Sequence, residues 1–358
     1  MSLDFLTNEE IVHAARRNLS QGTWDYLVGA AESETTMRRN RLAFDRLAFR
    51  PRALVDVSSA DASTTLLEQP MRIPVMLAPM GSLQRLAPAG GVASTKAADQ
   101  FGTIHTVSSV TQPELEETAA AGANPKIYQL YIHGDWGWVE DRVARAKAAG
   151  YVALAMTVDT AVYSRRERPM LDRWFEPLRD PASNAQYTSV VTWEMMDRIR
   201  ELAGLPFVLK GIGTAEDAAL AVEHGVDVVW VSNHGGRQLD HGRGTMTTLP
   251  EIVRAVEGKA EVVLDGGVQR GTDVLKAIAL GAKAVAIGKL QGWGLAAGGT
   301  EGLVRVLEIL EDEILVSMGL LGVTSMAGIS RDHVCADESV TLPHETSAWV
   351  NMGQGLAP

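Results

Sequence analysis

The run "VDVVWVSNHGGRQLD" (residues 226–240) begins as a strand and stops abruptly in Ser, Asn, His, two glycines and Arg. Polar groups withdrawn from water need partners, so a buried strand that ends this way ends at a site rather than in a core. Val228 to Val231 show no alternation of apolar and polar residues, which marks a strand covered on both faces, as in a parallel sheet.

Seven other runs have the same form: "IPVMLAPM" (73–80), "GTIHTVSS" (102–109), "KIYQLYI" (126–132), "YVALAMTVDT" (151–160), "PFVLKG" (206–211), "EVVLDGG" (261–267) and "AVAIGK" (284–289). Between most of them lie segments such as "ELEETAAAG", "VEDRVARAKAAG", "TAEDAALAVEHG" and "GTDVLKAIALG", with helical apolar spacing and a closing glycine. Eight strands alternating with helices predict an α/β fold, a (β/α)8 TIM barrel, whose chemistry sits at the C-terminal strand ends. Those ends carry Pro79, Ser108, Gln129, Tyr131, Thr157, Asp159, Lys210, Ser232, His234, Asp265 and Gly288.

A helical N-terminal extension precedes the barrel, and one domain over residues 1–358 is expected. The connection after the fourth strand, about 161–192, is too long and too weakly patterned for a simple crossover and reads as a lid. The tail, about 331–358, reads as mostly irregular. A net charge of -11 argues against nucleic acid and against an anionic membrane surface. The N-terminus lacks a signal-type apolar region, no apolar run has membrane-spanning length, and the single cysteine, Cys335, excludes an internal disulfide framework, so a cytoplasmic protein is expected. No metal site is read from the sequence.

Two clusters carry chemistry. In "DGGVQRGTDVLKAIALGAKAVAIGK" (265–289), Gly266, Gly267 and Gly288 allow close backbone approach to a phosphate after strands seven and eight, with Arg270 and Lys289 as charge; a plain tight turn is the bland alternative. Just past strand six, His234 is placed as a general base and Arg237 as a fork onto a carboxylate, with Asp159 to orient the imidazole and Arg166 as a second cation. Lys210, in a barrel interior, is costly unless it meets an anion or an electron-rich ring.

"SNHGGRQLD", together with "TVDT…RR", "QLY", "LKG" and "LDGGV…GTDVLKAIALGA", resembles the FMN-dependent α-hydroxy acid oxidases and dehydrogenases, over about Phe5 to Ser317. The resemblance implies oxidation of an (S)-2-hydroxy acid to the 2-oxo acid, with oxygen, a quinone or another acceptor taking the electrons from reduced FMN, in a homo-oligomer, a tetramer by analogy. It implies His234 as the base, Asp159 as the group that stabilises the imidazolium, Arg166 and Arg237 on the carboxylate, Tyr131 on the substrate oxygen and Lys210 beside flavin N1 and C2=O. Pro79, Met80, Gly81, Ser108, Gln129, Thr157 and Ser232 fall around the flavin ring, and Asp265, Gly266, Gly267, Gln269, Gly288 and Lys289 at ribityl and phosphate.

The chain also departs from that pattern. Trp24, in "TWDYL", stands where a tyrosine usually contacts the substrate carboxylate. Gln269 and Lys289 stand where two arginines usually clamp the phosphate, so FMN is expected to leave more easily, with Arg270 as compensation. Gly81 replaces a common alanine and is expected to open space over the ring. Trp24, Tyr131, Tyr163, Trp174 and Phe175 form either an aromatic wall for an aryl or long-chain acid or ordinary packing. A non-oxidising FMN-barrel isomerase and a ligand-binding relative with little turnover remain the alternatives.

Overall fold

The computed structural model describes residues 4–171, 173 and 190–339. Eight parallel strands close into a barrel: β1 (Val75–Leu77), β2 (His105–Ser108), β3 (Lys126–Leu130), β4 (Ala153–Thr157), β5 (Phe207–Ile212), β6 (Val228–Val231), β7 (Glu261–Leu264) and β8 (Ala284–Ile287). β8 pairs with β1 and β6 with β7, so no edge is left open. Seven strands fall inside the runs expected from the sequence and β5 exceeds its run by one residue, Ile212; the helices Leu115–Ala119, Ala215–Glu223 and Gly271–Ala279 fall inside the expected helical segments, while Trp136–Ala148 starts three residues before its own.

Side-chain alternation along the strands builds two layers. Leu77, Tyr128, Leu130, Leu154, Met156, Val229, Val231 and Leu264 pack outward under the helices. Met76, Ile127, Ala153, Ala155, Val208, Val228, Trp230, Val263, Ala284 and Ala286 fill the interior, with Trp230 fully buried at its centre. The same period of two carries the inner face up to Gln129, Thr157, Lys210, Ser232, Asp265 and Gly288, so the positions that continue the core at the top of the barrel are the polar ones. At the bottom, a hairpin of Thr64–Leu66 and Gln69–Met71 inserts Leu66 and Met71 into the interior cluster, and the Leu67 N–H bonds Glu261 at the start of β7.

Three helices precede the barrel: Asn8–Asn18, Gln21–Val28 and Thr35–Asp45. The first is capped by Thr7 and Glu10, each bonding the other's backbone N–H. The last helix, Lys289–Leu321, packs against the first and is interrupted at Gly298 and Gly299.

After β4, Glu167–Leu171 forms a short helix and Trp193–Ala203 a longer one. Residues 172 and 174–189 of the expected lid, with Trp174 and Phe175, lie outside the described residues. The tail is more ordered at its start than expected: Val334–Ala336 pairs antiparallel with Leu47–Phe49. A three-residue strand is too short to show its period in the sequence.

Candidate active site

The loop after β6 answers why a strand stops in "SNHGGR". The Asn233 and Asn40 amides bond each other at 2.7 and 2.9 Å, tying the loop to the helix Thr35–Asp45. Gly236, at φ +78°, lies so close to that helix that a Cβ would sit 2.5 Å from Met37 N. His234 adopts φ +59°, a left-handed conformation that costs a side-chain-bearing residue about 1–2 kcal/mol. Its N–H donates to Ser232 Oγ at 3.0 Å and its Nδ1 lies 3.0 Å from Asp159 Oδ1, so backbone and ring are held from opposite sides.

Burial pushes the His234 imidazole below its ordinary pKa, with Lys210 and Arg166 adding to the effect and Asp159 opposing it. Burial works against the charged form of Asp159, yet His234 and Lys210 outweigh it and hold the carboxyl below its usual range. A neutral ring that donates from Nδ1 to a carboxylate leaves Nε2 as the basic atom. Below it, Lys210 donates to Ser232 Oγ at 3.0 Å and lies 3.3 Å from Asp265, while the Ser232 hydroxyl donates to Asp265 at 2.7 Å.

These groups face a cavity of about 720 Å³ at the C-terminal end of the barrel. Of the residues expected from the sequence, its lining includes Trp24, Pro79, Met80, Arg166, Lys210, His234, Arg237, Asp265, Gly266, Gly267, Gln269, Gly288 and Lys289. Ser108, Gln129, Asp159 and Ser232 are outside this lining; Asp159 and Ser232 reach it through their bonds to His234 and Lys210. Arg237 donates to the carbonyls of Tyr26 and Gly29, both at 2.7 Å, and Arg166 donates to the Arg237 carbonyl and to Gln238, both at 3.3 Å.

Three expectations change, and Tyr131 stands outside this lining: with Thr157 it borders a neighbouring cavity of about 260 Å³, where the Tyr131 ring meets His133 edge-on at 6.1 Å. Trp24 lies beneath Arg16, whose guanidinium is 5.4 Å from its ring, and the aromatic ring beside Arg237 is Tyr26, 5.0 Å away. Its place two residues further along "TWDYL", one half-turn of helix, was the available signal. Gly81 opens no space: a methyl there would lie 2.8 Å from Val110 Cγ2, so Val110 already occupies the volume. Arg270 pairs with Glu313 at 2.8 Å and is not part of the lining, because that carboxylate also accepts the Gly271 N–H at the start of the same helix.

Sequence reasoning also missed Asn40, Arg41, Glu34 and Arg168, all supplied by helical or loop segments with no local site signature. Arg41 donates to the Gly267 carbonyl at 2.8 Å and pairs with Asp273 and Asp45. Lys289 bonds the Val28 carbonyl at 2.5 Å; burial, then Arg237, bring its pKa down to about 7.

A family model for FMN-dependent dehydrogenases matches residues 15–336. The chain is 40% identical over 347 residues to the L-lactate oxidase of Nostoc sp., covering 89% of this chain and 95% of that protein. It is 39% identical over 345 residues to the glycolate oxidase of Spinacia oleracea, covering 90% and 94%. A crystal structure of a mandelate oxidase superimposes with a TM-score of 0.87 at 35% identity, covering 94% of this chain and all of that one. The chain therefore belongs to the FMN-dependent dehydrogenase family: it is an oxidoreductase, and FMN is its cofactor.

The residues present fit that group. Buried polar atoms in native proteins are nearly always hydrogen-bonded, yet both amide atoms of Gln129 and the hydroxyl of Thr157 have no partner among the described residues. They end the inner rows of β3 and β4, and Thr157 pairs in register with Lys210. An amide, a hydroxyl and an ammonium side by side suit a ring edge that alternates acceptors with a donor, as the pyrimidine edge of a flavin does. Gly266, Gly267, Gly288 and Lys289 line the same cavity and would offer backbone N–H groups and positive charge to a phosphate.

Proposed function

We propose that the protein oxidises an (S)-2-hydroxy acid to the 2-oxo acid. The observation that carries this reading is one cavity that joins a carboxylate-bonded neutral imidazole, His234, to two guanidinium groups, Arg166 and Arg237, drawn from a different loop each. The arginines hold the substrate carboxylate, which fixes the α-carbon relative to His234. His234 Nε2 removes a proton, and Asp159 stabilises the imidazolium that forms. Lys210, anchored by Ser232 and Asp265, keeps a positive charge beneath the site. FMN, when bound, supplies the acceptor for the two electrons that leave the α-carbon. Oxygen, reduced to hydrogen peroxide, balances the cycle, in keeping with relatives named as oxidases.

An isomerase working on a neutral substrate needs no pair of arginines beside its base, so the arginine pair favours oxidation. Anaerobic mixing with lactate, glycolate, mandelate or longer 2-hydroxy acids tests the reading: at least one bleaches the yellow flavin, and the corresponding 2-oxo acid appears in equal amount. A flavin that stays oxidised with every one of them overturns it.

A further inference from the structure

Arg166 and Arg237 stand on two different loops, after β4 and after β6, and both loops are pinned to one short stretch, residues 29–34, between the second and third N-terminal helices. On the β6 side, the Ala31 N–H donates to the Gly236 carbonyl at 2.9 Å, and Arg237 reaches back to Gly29. On the β4 side, the Glu32 N–H donates to the Arg165 carbonyl at 2.9 Å. Arg168 then closes a two-pronged ion pair on Glu34, Nε to Oε1 at 2.5 Å and the terminal nitrogen to Oε2 at 2.6 Å. The same carboxylate accepts the Ala30 N–H at 3.1 Å, although Glu34 itself has φ +61°. Glu34 is buried, and Arg168 is half-exposed on the cavity wall.

We propose that Glu34 and Arg168 form a clasp that positions Arg166 and Arg237 for the substrate carboxylate. It rests on the reading that these two arginines hold that carboxylate. The pair locks the β4 loop to a stretch that already carries the β6 loop, so two guanidinium groups from separate strands keep one spacing. Glu34 and Arg168 are positioning residues; the substrate meets Arg166 and Arg237.

A second role for Glu34 makes the opposite forecast. It is the one carboxylate among the charges that act most strongly on Lys289, the others being Arg237, Arg168 and Arg166. If it served only to temper that positive cluster, neutralising it would tighten the binding of an anion. If it is half of a clasp, neutralising it loosens binding.

The test uses holoenzyme variants Glu34→Gln and Arg168→Met, with three readouts: KM and kcat for the 2-hydroxy acid that best bleaches the wild-type flavin, the Kd of oxalate from the shift in flavin absorbance, and amide exchange over residues 30–34. KM and oxalate Kd rise about tenfold in each variant, short of the ~100-fold cost of a 1 Å misplacement at the reacting centre, while kcat changes less than threefold. The double variant is no worse than either single one. The amides of Ala31 and Glu32 exchange at least tenfold faster, with barrel amides unchanged. Arg168→Lys, which keeps the charge and loses the fork, falls between. Unchanged KM and unchanged exchange overturn the clasp, as does tighter oxalate binding in Glu34→Gln. If no 2-hydroxy acid bleaches the wild-type flavin, the functional reading has failed, and amide exchange at residues 30–34 still decides the clasp.

Discussion

At the β4 and β6 side of the cavity, each cation named in the site is tethered: Arg237 to two carbonyls, Arg166 to a carbonyl and an amide, Arg168 to a carboxylate. At the β7 and β8 side, the chain offers glycine backbone, the amide of Gln269 and a buried lysine bonded to one carbonyl and a methionine sulfur. The first arrangement is preorganised for a planar carboxylate. The second is adjustable, with charge that depends on pH. Under the proposed function, one cavity therefore combines a tethered substrate end with a looser cofactor end.

The largest effect expected is at the tethered end. His234→Ala lowers kcat by about 10²- to 10⁴-fold, the usual contribution of a positioned base, while FMN stays bound and the protein stays yellow. In the wild type, kcat/KM is flat near pH 7 and falls on the acid side with a midpoint below 6.5, because burial keeps the ring neutral until lower pH. Asp159→Asn moves that midpoint lower still, since Asp159 is the group that raises the histidine's pKa. A pH–rate profile of each enzyme checks both statements. Next, Arg237→Met lowers kcat/KM by about 100-fold, the equivalent of one or two charge-assisted hydrogen bonds.

The cofactor end should respond about ten times less. Lys289 loses its proton near pH 7 in the ligand-free protein, and a phosphate dianion pairs only with the protonated form. FMN affinity therefore falls as pH rises through 7 to 9, measured by quenching of FMN fluorescence. Lys289→Arg removes that pH dependence and tightens binding by about tenfold, since guanidinium stays charged and forks onto phosphate. A flat pH profile for the wild type would erase the contrast between the two ends.

Smaller effects sharpen it. Gly81→Ala destabilises the fold by about 1 kcal/mol through the collision with Val110, and Val110→Ala in the same chain recovers the loss, both read from denaturant midpoints. Arg270→Ala changes FMN affinity by less than about twofold, since Arg270 serves Glu313 at the barrel's outside.

The barrel was legible because its strands are short, mostly apolar and stop in polar residues or glycine, and because glycine closes the helices between them, a pattern that survives without any neighbour's help. The inner row from Val228 through Trp230 to Ser232 was not, because a strand that is apolar on both faces does not show which face turns inward. Tyr26, Asn40 and the Glu34–Arg168 pair were not either, because they meet their partners only when the N-terminal helices fold over the barrel mouth, 134 to 211 positions away in the chain. Gly81 was misjudged for a related reason: a missing methyl opens space only if no neighbour fills it, and Val110 lies on another strand's loop. The fate of Arg270 depended on Glu313, far along the last helix.

The hairpin at residues 64–71, with Leu66 and Met71 pressed up beneath Trp230, makes the barrel a blind cup rather than a tube. Among the described residues, the way to His234 is from the opposite end, beside the N-terminal helices. Under the proposed oxidation, a molecule lodged there obstructs both half-reactions at once.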